Sequence, residues 1–160
     1  RSRRGARISM GFWSARLDAM IAGTEGRAPF LDVLILPPLV RWEPGKAWFE
    51  WPVDPRTHNY AGVVFGGQIA LMAHRALAVT SITKLDDHEH FTTADLRTSF
   101  FRPIIDGTLY IEGTVVHKGR RTLHAEAGCT NGRGKLVAKA VAVQHLIPRT
   151  ISFDEGSFED

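Results

Sequence analysis

At 160 residues, with 44% apolar and 23% charged side chains, the chain is long enough for one domain with a proper core and too short for two. No window reaches the ~20 apolar residues of a membrane span, no signal-peptide pattern is present, and no nucleic-acid-reading motif accompanies the net charge of +3, so neither membrane nor nucleic acid is expected as a partner. Cys129 stands alone, which rules out an internal disulfide and makes a reducing compartment, the cytoplasm, the default location.

Residues 1–29 read as a basic tail, with Arg1, Arg3, Arg4 and Arg7, followed by a short helix over Phe12 to Ala22. Its apolar residues, Phe12, Ala15, Ala19, Ile21 and Ala22, fall at helical spacing, and Gly23 stops it. Val33 to Trp42 predicts a strand broken at Pro37-Pro38. Glu43 to Lys46 is a turn, and Ala47 to Val53 alternates as the second strand of a hairpin.

A loop from His58 then enters Gly66-Gly67 and a helix. From Ile69 to Val79 that helix is apolar on nearly every side, interrupted by His74 and Arg75, so it is expected to be buried all round. The two glycines let the backbone approach a ligand closely, and the free N–H groups of a helix start favour a phosphate or a developing oxyanion. Asp86 to His90 clusters carboxylates and imidazoles, but the spacing matches no standard ligand set and no metal is expected.

The remainder reads as strands. Thr92 to Phe101 alternates, with Ala94, Leu96 and Phe100 on one face and Thr93, Asp95, Arg97 and Ser99 on the other. Leu109 to His117, Thr122 to Thr130 and Leu136 to Leu146 follow, joined by turns at Lys118-Gly119-Arg120 and Asn131-Gly132-Arg133-Gly134. Cys129 sits inside an apolar strand as a small core residue. The chain closes on an acidic tail, 148–160. Two strands, one helix and four strands in antiparallel meander predict an α+β domain over 30–147, a single sheet wrapped around one long central helix.

Four groups of residues stand in a telling order: Asn59, Gly62, Gly66 and Gly67; Thr93, Asp95, Leu96, Arg102 and Pro103; His117, Gly119, Arg120 and Arg121; and Gly-Lys-Leu-Val-Ala at Gly134 to Ala138. From about Phe30 to Leu146 the chain resembles the hotdog-fold thioesterase superfamily, in its PaaI-type branch. Two positions depart from that pattern: Phe65 replaces the His of His-Gly-Gly, and His74 replaces the catalytic Asp of the helix. The run Val64-Phe65-Gly66-Gly67-Gln68 is similar instead to the motif of TesB-type thioesterases, which carry two hotdogs in one chain.

The resemblance implies a single hotdog domain that hydrolyses an acyl-coenzyme A to free acid and coenzyme A, with no cofactor beyond that thioester. It leaves two alternatives: a catalytically silent hotdog that binds acyl-CoA or serves as an assembly partner, and an enoyl or hydroxyacyl thioester hydratase or dehydratase. In the hydrolase reading the Gly66 N–H polarises the carbonyl. His74, seven residues beyond Gly67 on nearly the same face and roughly 10 Å along the axis, is either a general base or a structural core histidine. Asn59 and Thr93 are candidates to hold water or thioester. Phe65, Gly67 and Gln68 would line the mouth, and Arg102, Gly119, Arg120 and Arg121 would meet the coenzyme A nucleotide, whose phosphates suit guanidinium groups. A homodimer or homotetramer is implied, with the site between chains.

Overall fold

The computed structural model describes residues 11–25 and 28–150, so most of both predicted tails lies outside the described residues. The elements are α1 (Phe12–Ala22), α2 (Phe30–Val33), β1 (Leu39–Glu43), β2 (Lys46–Pro52), α3 (Gly66–Ile82), β3 (Glu89–Phe100), β4 (Thr108–Lys118), β5 (Thr122–Thr130) and β6 (Leu136–Pro148). Six strands form one sheet in the order β1-β2-β4-β5-β6-β3, and every paired neighbour is antiparallel. No helix among the described residues is long and apolar enough to cross a membrane.

The sheet has room for a helix because its inner face is lined with small residues. Ala125 and Ala127 on β5, and Ala140 and Ala142 on β6, are buried there. On β4 a Cβ at Gly113 would lie 2.0 Å from Thr80 Oγ1, so glycine is what allows the helix this close. Against this groove α3 lays Met72, Ala73, Ala76, Leu77 and Thr80, all fully buried. Burying a leucine completely contributes roughly 1.5–3 kcal/mol, so this face anchors the domain. Cys129 is buried in the same core, and burial pushes its thiol up to about 12.

Several expectations are corrected. The helix is not buried all round: Ala70, Leu71, His74, Arg75 and Ala78 form a half-buried stripe on the side away from the sheet. The predicted strand from Val33 begins as the short helix α2, and β1 starts only after Pro37-Pro38, because proline cannot donate to a ladder. The last four strands are not one meander. β3 crosses to the far edge and pairs with β6, while β4 pairs with β2. The faces of β3 also differ from strict alternation. The register slips between Thr93 and Asp95, so Ala94 is an extra, outward residue and Thr93 shares the inner side with Leu96. In α1 the buried residues are Trp13 and Leu17, whereas Ala15, Ile21 and Ala22 are exposed. The Trp13 indole donates to the carbonyls of Asp86 and Glu89 at 3.2 and 3.1 Å, which settles which face turns inward.

Candidate active site

The approach to α3 is built from short-range hydrogen bonds. Asn59 Oδ1 accepts from the N–H groups of Ala61 at 2.9 Å and Val63 at 3.4 Å, closing a tight loop in which Gly62 takes φ 74°. Asn59 therefore holds the loop, and its oxygen is already engaged there. The Val64 N–H donates to the Ile104 carbonyl and the Phe65 N–H to the Thr57 carbonyl, both at 2.9 Å. Together these bonds aim the chain into the helix at a fixed angle.

Phe65 is the N-cap and offers no side-chain cap. The N–H groups of Gln68 and Ile69 turn back to the Phe65 carbonyl, but among the described residues those of Gly66 and Gly67 have no partner. Two aromatic rings flank this mouth, Phe65 at 59% exposure and Phe100 at 53%. The Phe65 ring occupies the space over Gly67, where a Cβ would stand 2.4 Å from it, and Phe100 lies 3.5 Å from a Cβ built at Gly66. Beside the mouth opens a cleft of about 700 Å³, bounded by Val33 to Ile35 on one side and Arg56 to Tyr60 on the other, with Phe65 and Gln68 at its base. The Gln68 amide donates to the Ile35 carbonyl at 2.6 Å, so this glutamine ties one wall of the cleft to the helix.

Two turns along α3, His74 Nε2 lies 3.1 Å from Thr93 Oγ1. This contact exists because the β3 bulge turns Thr93 inward. Across the sheet Gln144 is the direct partner of Thr93, fully buried, with neither amide atom hydrogen-bonded. Asp95 points out and pairs with Arg97 at 3.3 Å, so it brings no carboxylate to His74 within the chain.

The predicted nucleotide contacts are divided. Arg102 is near the mouth but its guanidinium donates to the Leu136 carbonyl at 2.9 Å. Gly119, Arg120 and Arg121 sit in the β4–β5 turn, where the Gly119 N–H donates to the Thr122 carbonyl and the Arg121 carbonyl accepts from Leu146. Leu146 pairs with Phe91, nine residues from Phe100 along β3, which is on the order of 30 Å by the strand rise. The single chain thus does not bring Arg120 and Arg121 to its own Gly66 mouth. Asp86, His88 and Glu89 have donor atoms within 4.8 Å of one another, but Lys118 Nζ already contacts both carboxylates, Asp86 at 3.3 Å. Burial opposes the Lys118 charge, yet the hydrogen bonds to Glu89 and Asp86 raise its pKa overall.

Two residues of interest were not predicted as site residues. Arg75 interrupts the apolar helix, and its Nε is buried without a hydrogen-bond partner. Gln144 is the buried polar residue of a Val- and Ala-rich strand whose Lys139 and His145 are exposed. Each carried a signal, polarity inside an apolar run.

The sequence model of the thioesterase superfamily matches residues 61–138, from the loop before α3 into β6. A curated relative from Saccharolobus solfataricus, "Putative esterase SSO2140", is 29% identical over 118 residues, covering 74% of this chain and 81% of its own. Among solved structures, a mutant of thioesterase PA1618 from Pseudomonas aeruginosa superposes with a TM-score of 0.70 at 19% identity, over 84% of this chain and 94% of that one. The protein smu.793 from Streptococcus mutans, bound to acetyl CoA, superposes with a TM-score of 0.65 at 24% identity, over 71% of this chain and 90% of that one. The chain has the fold of the hotdog thioesterases, a single α+β domain with one six-stranded antiparallel sheet against the long helix α3.

Proposed function

We propose that the protein hydrolyses acyl-coenzyme A thioesters at the amino end of α3. The observation that carries this reading is the pair of N–H groups, Gly66 and Gly67, without a partner among the described residues, at a helix start beside a cleft of about 700 Å³. A thioester carbonyl placed there gains negative charge on oxygen as water attacks. Two fixed donors and the positive end of the helix stabilise that charge more than the neutral carbonyl, and one such donor is worth about 3–4 kcal/mol. Water adds to the carbonyl carbon, the C–S bond breaks, and the proton lost by water goes to the departing thiolate through a base.

His74, held by Thr93, is the base in this reading. It lies eight residues beyond Gly66, about 12 Å along the helix axis, outside hydrogen-bonding reach of a carbonyl at the same mouth. A second copy resolves this. β3 is a 12-residue strand at the edge of the sheet, and among the described residues no strand lies beside its outer edge. Antiparallel pairing of two such edges would run the two α3 helices in opposite directions and carry the second copy's His74 toward this mouth. The bound acetyl CoA of the Streptococcus mutans structure and the family match across the mouth support the reading.

The test is thiol release from a series of acyl-CoAs, with light scattering of the same samples. The expected result is a dimer or tetramer that turns over, with His74→Ala slower by ~100-fold or more and still folded. Turnover unaffected by His74→Ala would assign the base elsewhere. A silent acyl-CoA-binding hotdog is the second reading, favoured by the lack of any carboxylate along α3. It requires acyl-CoA to raise the melting temperature while no thiol appears. A hydratase or dehydratase has less support, since His74 has a threonine and not a carboxylate beside it.

A further inference from the structure

We propose that Arg75 receives a carboxylate at the far end of the acyl chain, so that the preferred substrates are thioesters of acids carrying a second, terminal carboxyl group. This rests on the hydrolase reading and extends it to a substrate class.

Gln68 and Arg75 lie seven residues apart on α3, which puts them on one stripe of the helix, about 10 Å apart along its axis. The connection from α2 to β1 crosses this stripe and is fastened to it by the bond from Gln68 to the Ile35 carbonyl. On one side of the connection is the cleft at the mouth. On the other is a cavity of about 370 Å³, and Leu34 is a wall of both. Met20, Leu31, Leu36 and Leu39 form its apolar walls, Glu25 and Arg75 supply its charged part, and it opens to solvent.

Among the described residues no carboxylate forms an ion pair with the guanidinium, and Glu25 acts on it only at a distance. The Arg75 Nε is buried with no hydrogen-bond partner, and no ion pair or hydrogen bond engages its other nitrogens among the described residues. Glu25 lines the same cavity, but its carboxylate is bonded to Arg16 Nε at 2.9 Å. The Phe30 ring, 5.8 Å from Arg75 Cζ, covers one side of it. Burial lowers the pKa of Arg75 from its ordinary value, and the Glu25 charge offsets only part of this. A half-buried guanidinium with a buried, unpaired Nε is stabilised when an anion completes its hydrogen bonds.

The geometry favours a carboxylate on an apolar chain. A guanidinium fork donates two parallel hydrogen bonds to a carboxylate, and the Glu25 charge in the same cavity repels a dianionic phosphate more than a singly charged carboxylate. Nine residues separate Gly66 from Arg75, roughly 13 Å of axis, and helical side chains lean back toward the amino end. A diacid of about six to eight carbons has the length to reach from the carbonyl at the mouth to this arginine, its chain passing the Leu34 wall that the two cavities share.

The experiment compares adipoyl- and suberoyl-CoA with hexanoyl- and octanoyl-CoA on the wild type, Arg75→Gln and Arg75→Lys. In parallel, melting is followed with free suberate and octanoate. A hydrogen-bonded charge pair predicts a preference for the carboxylated chain of about tenfold to a hundredfold in kcat/KM. In Arg75→Gln that ratio falls to near one, and Arg75→Lys recovers part of it. Equal rates for the two series, or a preference that survives Arg75→Gln, overturn the site while the hydrolase reading stands. If no thioester releases thiol but suberate raises the melting temperature of the wild type and not of Arg75→Gln, the site stands and the hydrolase reading falls. Dissociation of an oligomer in Arg75→Gln, without any effect of suberate, assigns the counter-ion to a second copy and overturns the proposal.

Discussion

The two sides of α3 are built on opposite terms. Toward the sheet it presents Met72, Ala76, Leu77 and Thr80, fully buried, and even the hydroxyl of Thr80 is satisfied, by the Ala76 carbonyl at 2.7 Å. Away from the sheet, His74 and Arg75 are half-buried, and Arg75 leaves a buried nitrogen unpaired. The sheet side maximises contact at the cost of any freedom to change. The other side keeps polar groups in places that packing alone would fill with leucine. The proposed base and the proposed carboxylate site both draw on this side.

Stability measurements can break this comparison. Leu77→Ala removes a fully buried side chain from the sheet side and should lower the unfolding free energy by about 2–5 kcal/mol. Leu71→Ala on the half-buried stripe should cost less than half as much, with urea denaturation as the measure. Equal losses would mean that the outer side is as closely packed as the inner one.

Gly113→Ala sharpens the inner side. The new Cβ would meet Thr80 Oγ1 at 2.0 Å and Thr80 Cβ at 3.0 Å, and overpacking of this kind costs about 1–3 kcal/mol. Combining it with Thr80→Ala should recover part of the loss, because the hydroxyl is the nearer clash. Additive losses in that double variant would show that β4, and not Thr80, is what resists.

The pH dependence of stability tests the dryness of the same core. Cys129 keeps its proton in the folded state up to about 12, while an unfolded cysteine loses it near the ordinary value of 9.0. Between those two pH values the folded state holds the extra proton, so stability falls as pH rises, by at most about 1.4 kcal/mol per pH unit. Subtracting the profile of Cys129→Ala isolates this slope from other groups that titrate there. A difference profile flat from 9 to 12 would mean that water reaches the thiol.

The smallest expected effect lies where the two sides meet. Gln144→Leu replaces a buried amide with no partners by an apolar group of similar size. The unfolding free energy should rise by about 1 kcal/mol. A loss of stability instead would show that an ordered water completes the amide, and the unpaired atoms would cease to distinguish this region.

Much of this architecture was legible before folding was considered. The helix starting at Gly66-Gly67 and its apolar character follow from the run of apolar residues and the conformational freedom of glycine, although which side of it meets the sheet does not. So do the Asn131-to-Gly134 hairpin, where Asn131 Oδ1 accepts from the Arg133 and Lys135 N–H groups, and the burial of Cys129. These properties depend on neighbours a few residues away, so the amino-acid order determines them. Strand order is different. That β3 pairs with β6 at the edge, and that β4 pairs with β2, is decided by contacts between residues far apart in the chain. The bulge at Ala94 likewise breaks an alternation that the residues themselves display, because the ladder with β6 sets the register. That slip turns Thr93 toward His74, while Asp95 stays outside with Arg97. The contact between His74 and Thr93 therefore hangs on a register that no local pattern encodes. The unpaired state of Arg75 is tertiary too, since it depends on Glu25 meeting Arg16 and on a connection that crosses the helix between two cavities.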